Sequence, residues 1–264
     1  MKTLIVIPVY NEAMFITRVL EEVLLHRHDV LVVDDGSNDG SERMLEGIAG
    51  VRVLRHPVNL GYGQSLIDAF DYASANDYDV VVTLDADGQH EPAYVPMFLA
   101  ELASADIVSG SRYLKRFDGH WVPPPDRRRI NRVVTQELEK CFGLTLTDAF
   151  CGFKAYRVDA LVRMRLTEPG YAMPLQLWAQ AAHLGLRIVE VPVQLIYYPC
   201  LARSFGGTLD KPEVRLRYYR DVLRKARRNL VCQTSPEVPG SRLAELCACC
   251  GTSGDAGCFC RQWE

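Results

Sequence analysis

The chain has no apolar run approaching the length that crosses a bilayer, although 48% of its residues are hydrophobic. Its start, Met1-Lys2-Thr3-Leu4-Ile5, lacks the basic region, apolar stretch and small-residue cleavage site of a secretory signal. The expected location is therefore the cytoplasm, soluble or peripheral at a membrane. Neither sign of charge dominates: 30 Lys and Arg stand against 33 Asp and Glu, a formal net charge of −3, so nothing global points to nucleic acid. There is no internal repeat and no GxxxxGK[ST] run, which excludes a P-loop. Cysteine is sparse in the body, where Cys141, Cys151 and Cys200 read as reduced thiols. The other cysteines, Cys232, Cys247, Cys249, Cys250, Cys258 and Cys260, crowd the C-terminus.

What is present is an alternation of two periods. Short β-branched runs at 3–9, 30–34, 51–55, 79–84 and 106–109 read as strands. Helical spacing fills 14–26, 41–48, 63–75 and 92–103 between them. Val19, Val23 and Leu24, like Leu66, Ala69, Phe70 and Ala73, mark one buried helical face each. Strands alternating with helices predict an α/β fold, a mostly parallel sheet with helices on both faces. The pattern breaks at 114–126, where Gly119 and Pro123-Pro124-Pro125 predict an exposed loop. Helices at 127–142, 173–184 and 211–230 and a strand at 187–197 complete the expected body, residues 1–230. The stretch 231–264, rich in Ser, Pro, Gly and Cys, is expected to be a disordered tail outside it.

Two carboxylates stand at the end of one apolar run, in Leu84-Asp85-Ala86-Asp87-Gly88-Gln89-His90. In extended chain, residues i and i+2 point the same way, so Asp85 and Asp87 are placed to aim at one point past the strand. Two hard oxygen ligands there suit Mg²⁺ or Mn²⁺, which can bridge substrate phosphates. Taken alone, the pair fits a polar turn equally well. Four more polar segments end or follow the predicted strands: Ile7-Pro8-Val9-Tyr10-Asn11-Glu12, Val32-Val33-Asp34-Asp35-Gly36-Ser37, Asn59-Leu60-Gly61-Tyr62-Gly63 and Ser109-Gly110-Ser111-Arg112-Tyr113. Ligands bind outside the carboxyl ends of strands in open α/β sheets, so this convergence describes a cleft.

Rival motifs fall short. Asp35 to Glu46 matches much of an EF-hand loop, but a strand pattern precedes it and no second copy exists. Gly61-Tyr-Gly63 begins like a dinucleotide fingerprint, yet Leu66 replaces the third glycine. It reads better as a flexible approach to a helix N-terminus whose N–H groups could face phosphate.

IPVYNE, VVDDGSNDGS, TLDADGQHEP, SGSRY and DAFCGFKAYR occur together and in that order. The chain resembles the family 2 glycosyltransferases of the GT-A fold, a Rossmann-like architecture. In pattern it is similar to the polyprenyl-phosphate (dolichol-phosphate) mannosyl- or glucosyltransferases over about residues 3 to 228. The resemblance implies a nucleotide-sugar donor whose base and ribose are lined by Pro8, Tyr10 and Glu12, with Asp35 of the Asp34–Asp35 pair on the nucleoside. Gly61 would belong to the same donor pocket. It implies that Asp85 and Asp87 are DxD carboxylates, with Asp87 and Gln89 nearest the metal and Asp85 shared with the donor. Arg112 would face the phosphates or the acceptor. Arg128 or Arg129, and Arg203, look like acceptor-phosphate and closing-loop arginines, and Lys154 is placed at the site rim.

A hydroxyl acceptor needs a general base. In related sugar-glycosylating enzymes a carboxylate pair on a later helix plays that part. Here the comparable segment, Tyr171-Ala-Met-Pro-Leu-Gln176-Leu-Trp178, has no Asp or Glu. A phosphate acceptor is already anionic and needs arginines instead. The expected reaction is thus metal-dependent, inverting hexose transfer from a UDP-glucose or GDP-mannose type donor to polyprenyl phosphate. The alternatives are a sugar-nucleotidyltransferase and a non-catalytic nucleotide-sugar scaffold. Two regions keep two readings. The basic stretch 211–229 is a membrane-surface helix or a terminal helix with a solvated face. Cys247, Cys250, Cys258 and Cys260 are thiolates for Zn²⁺ or chance cysteines.

Overall fold

The computed structural model describes residues 1–117, 122–196, 205 and 207–234, the side chains of 231–234 excepted. Arg203, Cys200, Cys247, Cys249, Cys250, Cys258 and Cys260, with the zinc reading, lie outside the described residues.

The first half keeps the alternation of the sequence. Strand β1 (Thr3–Val9), helix α1 (Ile16–Leu24), β2 (Asp29–Asp34), α2 (Ser41–Glu46), β3 (Val51–Arg55), α3 (Tyr62–Ala75) and β4 (Val80–Thr83) come in turn. A 3₁₀ turn at Pro92–Tyr94 leads into α4 (Val95–Glu101), and β5 (Ile107–Ser111) comes next. Beyond it are α5 (Pro125–Phe142), β6 (Lys154–Arg157), α6 (Val158–Leu161), α7 (Met173–His183), β7 (Ile188–Pro192) and α8 (Pro212–Thr234). Among the described residues the strands form one sheet in the order β3-β2-β1-β4-β6-β5-β7.

β1, β2, β3 and β4 pair in parallel. β6 is antiparallel to both β4 and β5, so β5 and its parallel neighbour β7 run the same way as the first four. All carboxyl ends except that of β6 therefore share one edge. β1 shows why the sheet is covered on both faces. Leu4 and Val6 join one core with Leu66, Ala69 and Phe70 of α3. Ile5, Ile7 and Val9 join a second with Ile16, Val19 and Leu20 of α1. Every one of these side chains is buried. Burial of each Leu, Ile or Phe stabilises by about 1.5–3 kcal/mol relative to exposure.

β6 is the departure from expectation. Four residues, Lys154–Arg157, carry no period of their own, and they thread between β4 and β5. The expected strand at 187–197 shortens to Ile188–Pro192. α8 packs its stripe of Tyr219, Val222, Leu223 and Ala226 against the body, leaving Arg217, Arg224, Lys225, Arg227 and Arg228 exposed. This matches the terminal-helix reading of 211–229. No helix among the described residues is long and apolar enough to cross a membrane.

Candidate active site

The loops after β1 and β2 are latched together before any ligand is considered. Asn11, in the left-handed region at φ 59°, donates its N–H to Ser37 Oγ at 3.0 Å, and its Oδ1 accepts the Asn38 N–H at 2.9 Å. The Glu12 N–H donates to Ser41 Oγ at 2.9 Å. This leaves Tyr10 exposed at the sheet edge, Pro8 half-buried and Glu12 buried.

The Asp34–Asp35 pair turns inward. Asp34 is fully buried; its carboxylate accepts the Ser37 N–H at 2.9 Å and Arg55 Nε at 2.9 Å. Asp34 thus fixes the end of β2 and does not line the cleft, against its expected donor-binding role. Asp35 Oδ1 accepts the Leu60 N–H at 2.7 Å and faces His56 Nδ1 at 2.8 Å, while Oδ2 accepts the Gly61 N–H at 2.9 Å. His56 Nε2 lies 3.0 Å from Asp68 Oδ2, in an alignment too poor for a hydrogen bond. Asp35 therefore holds the loop 56–61 rather than presenting an empty carboxylate to a nucleoside. Gly61 departs from expectation in the same way. At φ 108° a side chain there would collide with the Pro169 carbonyl oxygen. The glycine admits the close approach of the Pro169 backbone.

At β4 the strand ends at Thr83, and Ala86-Asp87 form a turn. The extended i, i+2 geometry expected for the two carboxylates is replaced by a bend closed by Gly88 at φ 70°. Asp87 Oδ1 accepts the Gln89 N–H at 2.9 Å, which fixes the bend and Gln89 with it. The Asp85 carboxylate is partly exposed and accepts one hydrogen bond, from Tyr62 Oη at 3.3 Å. Behind it the chain has no room for a side chain: a Cβ on Gly152 would collide with both Asp85 oxygens.

His90 packs against Asp85, its Nδ1 3.7 Å from Oδ2. Its ring is buried, accepts the Asp85 N–H at Nδ1 (3.0 Å) and meets Cys151 Sγ at 3.8 Å through Nε2. Burial lowers its pKa, but the negative charge of Asp85, aided by Cys151 and Asp87, outweighs burial and pushes it up to about 9. A proton on Nδ1 would break the bond from the Asp85 N–H, so the carboxylates and that bond pull the ring in opposite directions. The tautomer protonated at Nε2 satisfies the contacts seen. His90 lies within the strand-end segment that carries the two carboxylates, but nothing in its spacing signalled this role.

Among the described residues no three His, Cys, Asp or Glu side chains form a metal-holding group. Mg²⁺ is commonly bound through one or two carboxylates, with substrate phosphates completing the shell. Asp85, Asp87 and the amide of Gln89 offer an all-oxygen set of that kind.

Arg112, just past β5, forms a fork with Asp148: Nε to Oδ2 at 2.7 Å and Nη2 to Oδ1 at 2.9 Å. Burial alone would raise the Asp148 carboxyl; the Arg112 guanidinium outweighs it and holds the pKa below the usual value. The fork engages Nε and Nη2, and the Arg112 side chain stays partly exposed. Burial pushes the Tyr113 phenol up, and the positive charges of Arg112, Arg128 and Arg127 oppose it; the Arg112 guanidinium lies 5.9 Å from the ring. Arg128 is exposed, and Arg127 stands 5.0 Å over the ring of Phe205. Arg129 instead turns to Glu213 at 3.5 Å, on the outside of the body.

Lys154 is not at the rim. It sits in β6 between Thr83 and Ser109, 2% exposed. Its ammonium donates to the Cys151 carbonyl and lies 5.5 Å over Trp178, and burial lowers its pKa. It forms the floor under the cleft because β6 threads the centre of the sheet.

The family model for glycosyl transferase family 2 matches residues 4–164. The chain is 35% identical over 209 residues to undecaprenyl-phosphate mannosyltransferase of Micrococcus luteus, covering 74% of this chain and 84% of the relative. It is 30% identical over 204 residues to polyprenol monophosphomannose synthase of Mycolicibacterium smegmatis, covering 73% and 76%. Among solved structures, glucosyl-3-phosphoglycerate synthase of Mycobacterium tuberculosis, in complex with Mn²⁺, UDP and phosphoglyceric acid, aligns with a TM-score of 0.65. That alignment is 20% identical and covers 91% of this chain and 80% of that one, a likeness of fold, which is GT-A. The family match takes in the ends of β1, β2, β4 and β5 and the DAFCGFKAYR segment, so the chain belongs to glycosyl transferase family 2 and is a glycosyltransferase.

Proposed function

We propose that this chain transfers a hexose from a nucleotide-sugar to a polyprenyl phosphate, with inversion at the anomeric carbon. The observation that carries this reading is Gln176. On α7, where a base would be needed for a hydroxyl acceptor, no residue from Met173 to His183 is Asp or Glu. Gln176 itself is buried and committed. Its Oε1 accepts the Thr167 N–H at 2.8 Å and the Glu168 N–H at 2.9 Å, and its Nε2 donates to Thr167 Oγ1 at 3.0 Å. The adjacent Glu168 is held by the Tyr218 hydroxyl. An acceptor that arrives ionised fits a site without a base. The names of the two curated relatives point the same way.

In this reading Asp85, Asp87 and Gln89 would hold Mg²⁺ or Mn²⁺. The ion, when bound, supplies Lewis-acid neutralisation of the leaving group. Tyr62 orients Asp85, and Gly152 leaves the space that lets its carboxylate face the cleft. Pro8, Tyr10 and Glu12 border the nucleoside. Arg112, with Arg127 and Arg128, receives phosphate through planar guanidinium groups. An acceptor phosphate oxygen forms the new bond to C1 from the side opposite the diphosphate. The C1–oxygen bond breaks, and its electron pair leaves with the nucleoside diphosphate. The exposed basic face of α8 offers an electrostatic contact with anionic lipid headgroups, since its apolar stripe is already used against the body.

The test is turnover by the purified full chain with polyprenyl phosphate and a panel of nucleotide-sugars in Mn²⁺ or Mg²⁺. One donor is expected to give a lipid-linked product of inverted configuration by NMR. Pyrophosphate release from a nucleoside triphosphate, or binding without turnover, would replace the proposal with one of the alternative readings.

A further inference from the structure

Glu190 lies on the edge strand β7, beyond the family-matched residues 4–164, and no step of the proposed transfer uses it. It is paired in register with Ser109 of β5 and reaches back over the sheet edge. Its Oε2 accepts the Thr147 N–H at 2.8 Å and the Thr147 hydroxyl at 3.0 Å. Its Oε1 accepts the Asp148 N–H at 3.0 Å. The same Thr147 hydroxyl lies 2.5 Å from Ser111 Oγ. Ser111 immediately precedes Arg112, and Asp148 carries the fork that Arg112 sits in.

We propose that Glu190 is a positioning residue that sets the Arg112 guanidinium from both sides. Through the Thr147 and Asp148 N–H groups it fixes the backbone that carries the Asp148 carboxylate. Through the Thr147 hydroxyl it fixes Ser111, the residue from which Arg112 departs. Asn131 and Trp178 brace the next turn of the same segment. Asn131 Nδ2 donates to the Thr147 carbonyl at 2.8 Å, its Oδ1 accepts the Ala149 N–H at 3.0 Å, and Trp178 Nε1 donates to the Ala149 carbonyl at 3.0 Å. Those two residues hold the segment's place, but neither reaches Asp148 or Ser111. Glu190 alone among the three contacts Asp148 directly. A carboxylate is required because both of its oxygens must accept from donors; an amide would turn an N–H₂ against one of them.

The inference rests on the reading of Arg112 as the cation facing substrate phosphate, so the test separates the two. Glu190→Gln, Arg112→Lys and the double variant are compared for kcat, for the KM of donor and acceptor, and for thermal midpoint. Arg112→Lys is expected to raise one KM by about tenfold, the scale of a lost charge-assisted contact. Glu190→Gln is expected to raise the same KM, and the double variant to be no worse than Arg112→Lys, because both act through one group. Losses that multiply in the double variant, or a Glu190→Gln effect confined to the thermal midpoint, overturn the positioning role and leave the Arg112 reading standing. Unchanged kinetics in Arg112→Lys overturn both. If Glu190→Gln does not fold, Thr147→Val replaces it. That variant removes the hydroxyl link and spares the backbone bonds, with a rise of about threefold expected in the same KM; an unchanged KM overturns the proposal.

Discussion

Two acidic pairs stand on either side of β1, at the ends of β2 and β4, and they have opposite fates. In Asp34–Asp35 the carboxylates accept from Ser37, Arg55, Leu60 and Gly61 and face His56, and both side chains are buried. In Asp85–Asp87 the Asp85 carboxylate is partly exposed with one hydrogen bond of 3.3 Å. Asp87 is buried, and its Oδ1 accepts the Gln89 N–H of its own turn. The difference comes from the loop at the end of each strand. After β2 the chain must carry loops from β1 and β3 past the same point, and the carboxylates tie them down. After β4 a tight turn closes on Gly88, and Gly152 behind Asp85 supplies neither a side chain nor a donor. Identical residue types thus become scaffold in one place and candidate ligand in the other.

The comparison breaks most sharply at Asp87. Asp87→Ala is expected to cut transfer by on the order of 10² to 10³-fold with the protein still folded by circular dichroism, and chelation of divalent cations should reproduce the loss in the unaltered chain. Gly152→Ala is the next largest. It forces the Asp85 carboxylate aside, and a fall of on the order of tenfold or more in kcat is expected, with the protein still folded by circular dichroism. Asp35→Ala should reverse the pattern. It leaves the Leu60 and Gly61 N–H groups without their acceptor, and urea unfolding should register a loss of about 2 kcal/mol. The smallest effect belongs to charges at neither pair. Replacing Arg224, Lys225, Arg227 and Arg228 by Gln should move stability by no more than about 0.5 kcal/mol. Sedimentation with anionic vesicles should fall in the same variant if the basic face of α8 meets lipid.

The first half of the fold was legible because each strand and helix carries its own period: β1, β3 and the start of α2 lie at the expected residues. β6 was not, since Lys154–Arg157 become a strand only by pairing with Val80–Thr83 and Ile107–Ser109, a tertiary fact. That one insertion moves Lys154 from rim to floor. It also places Asp148 and Gly152, which lie in the DAFCGFKAYR segment but were given no role there, against Arg112 and Asp85. The strand-end segments named the candidate site, and residue type suggested its chemistry. Which carboxylates serve the protein and which face the cleft depends on hydrogen-bond donors distant in sequence, such as Leu60 for Asp35, and on Gly152 for Asp85.

The central claim is that the acceptor arrives already ionised. The most direct measurement gives the full chain one competent nucleotide-sugar with Mn²⁺ and compares two acceptors of equal chain length, polyprenyl phosphate and free polyprenol. Transfer to the phosphate and none to the alcohol is the result expected of a site whose α7 carries no carboxylate. Transfer to the alcohol at a comparable rate would contradict it.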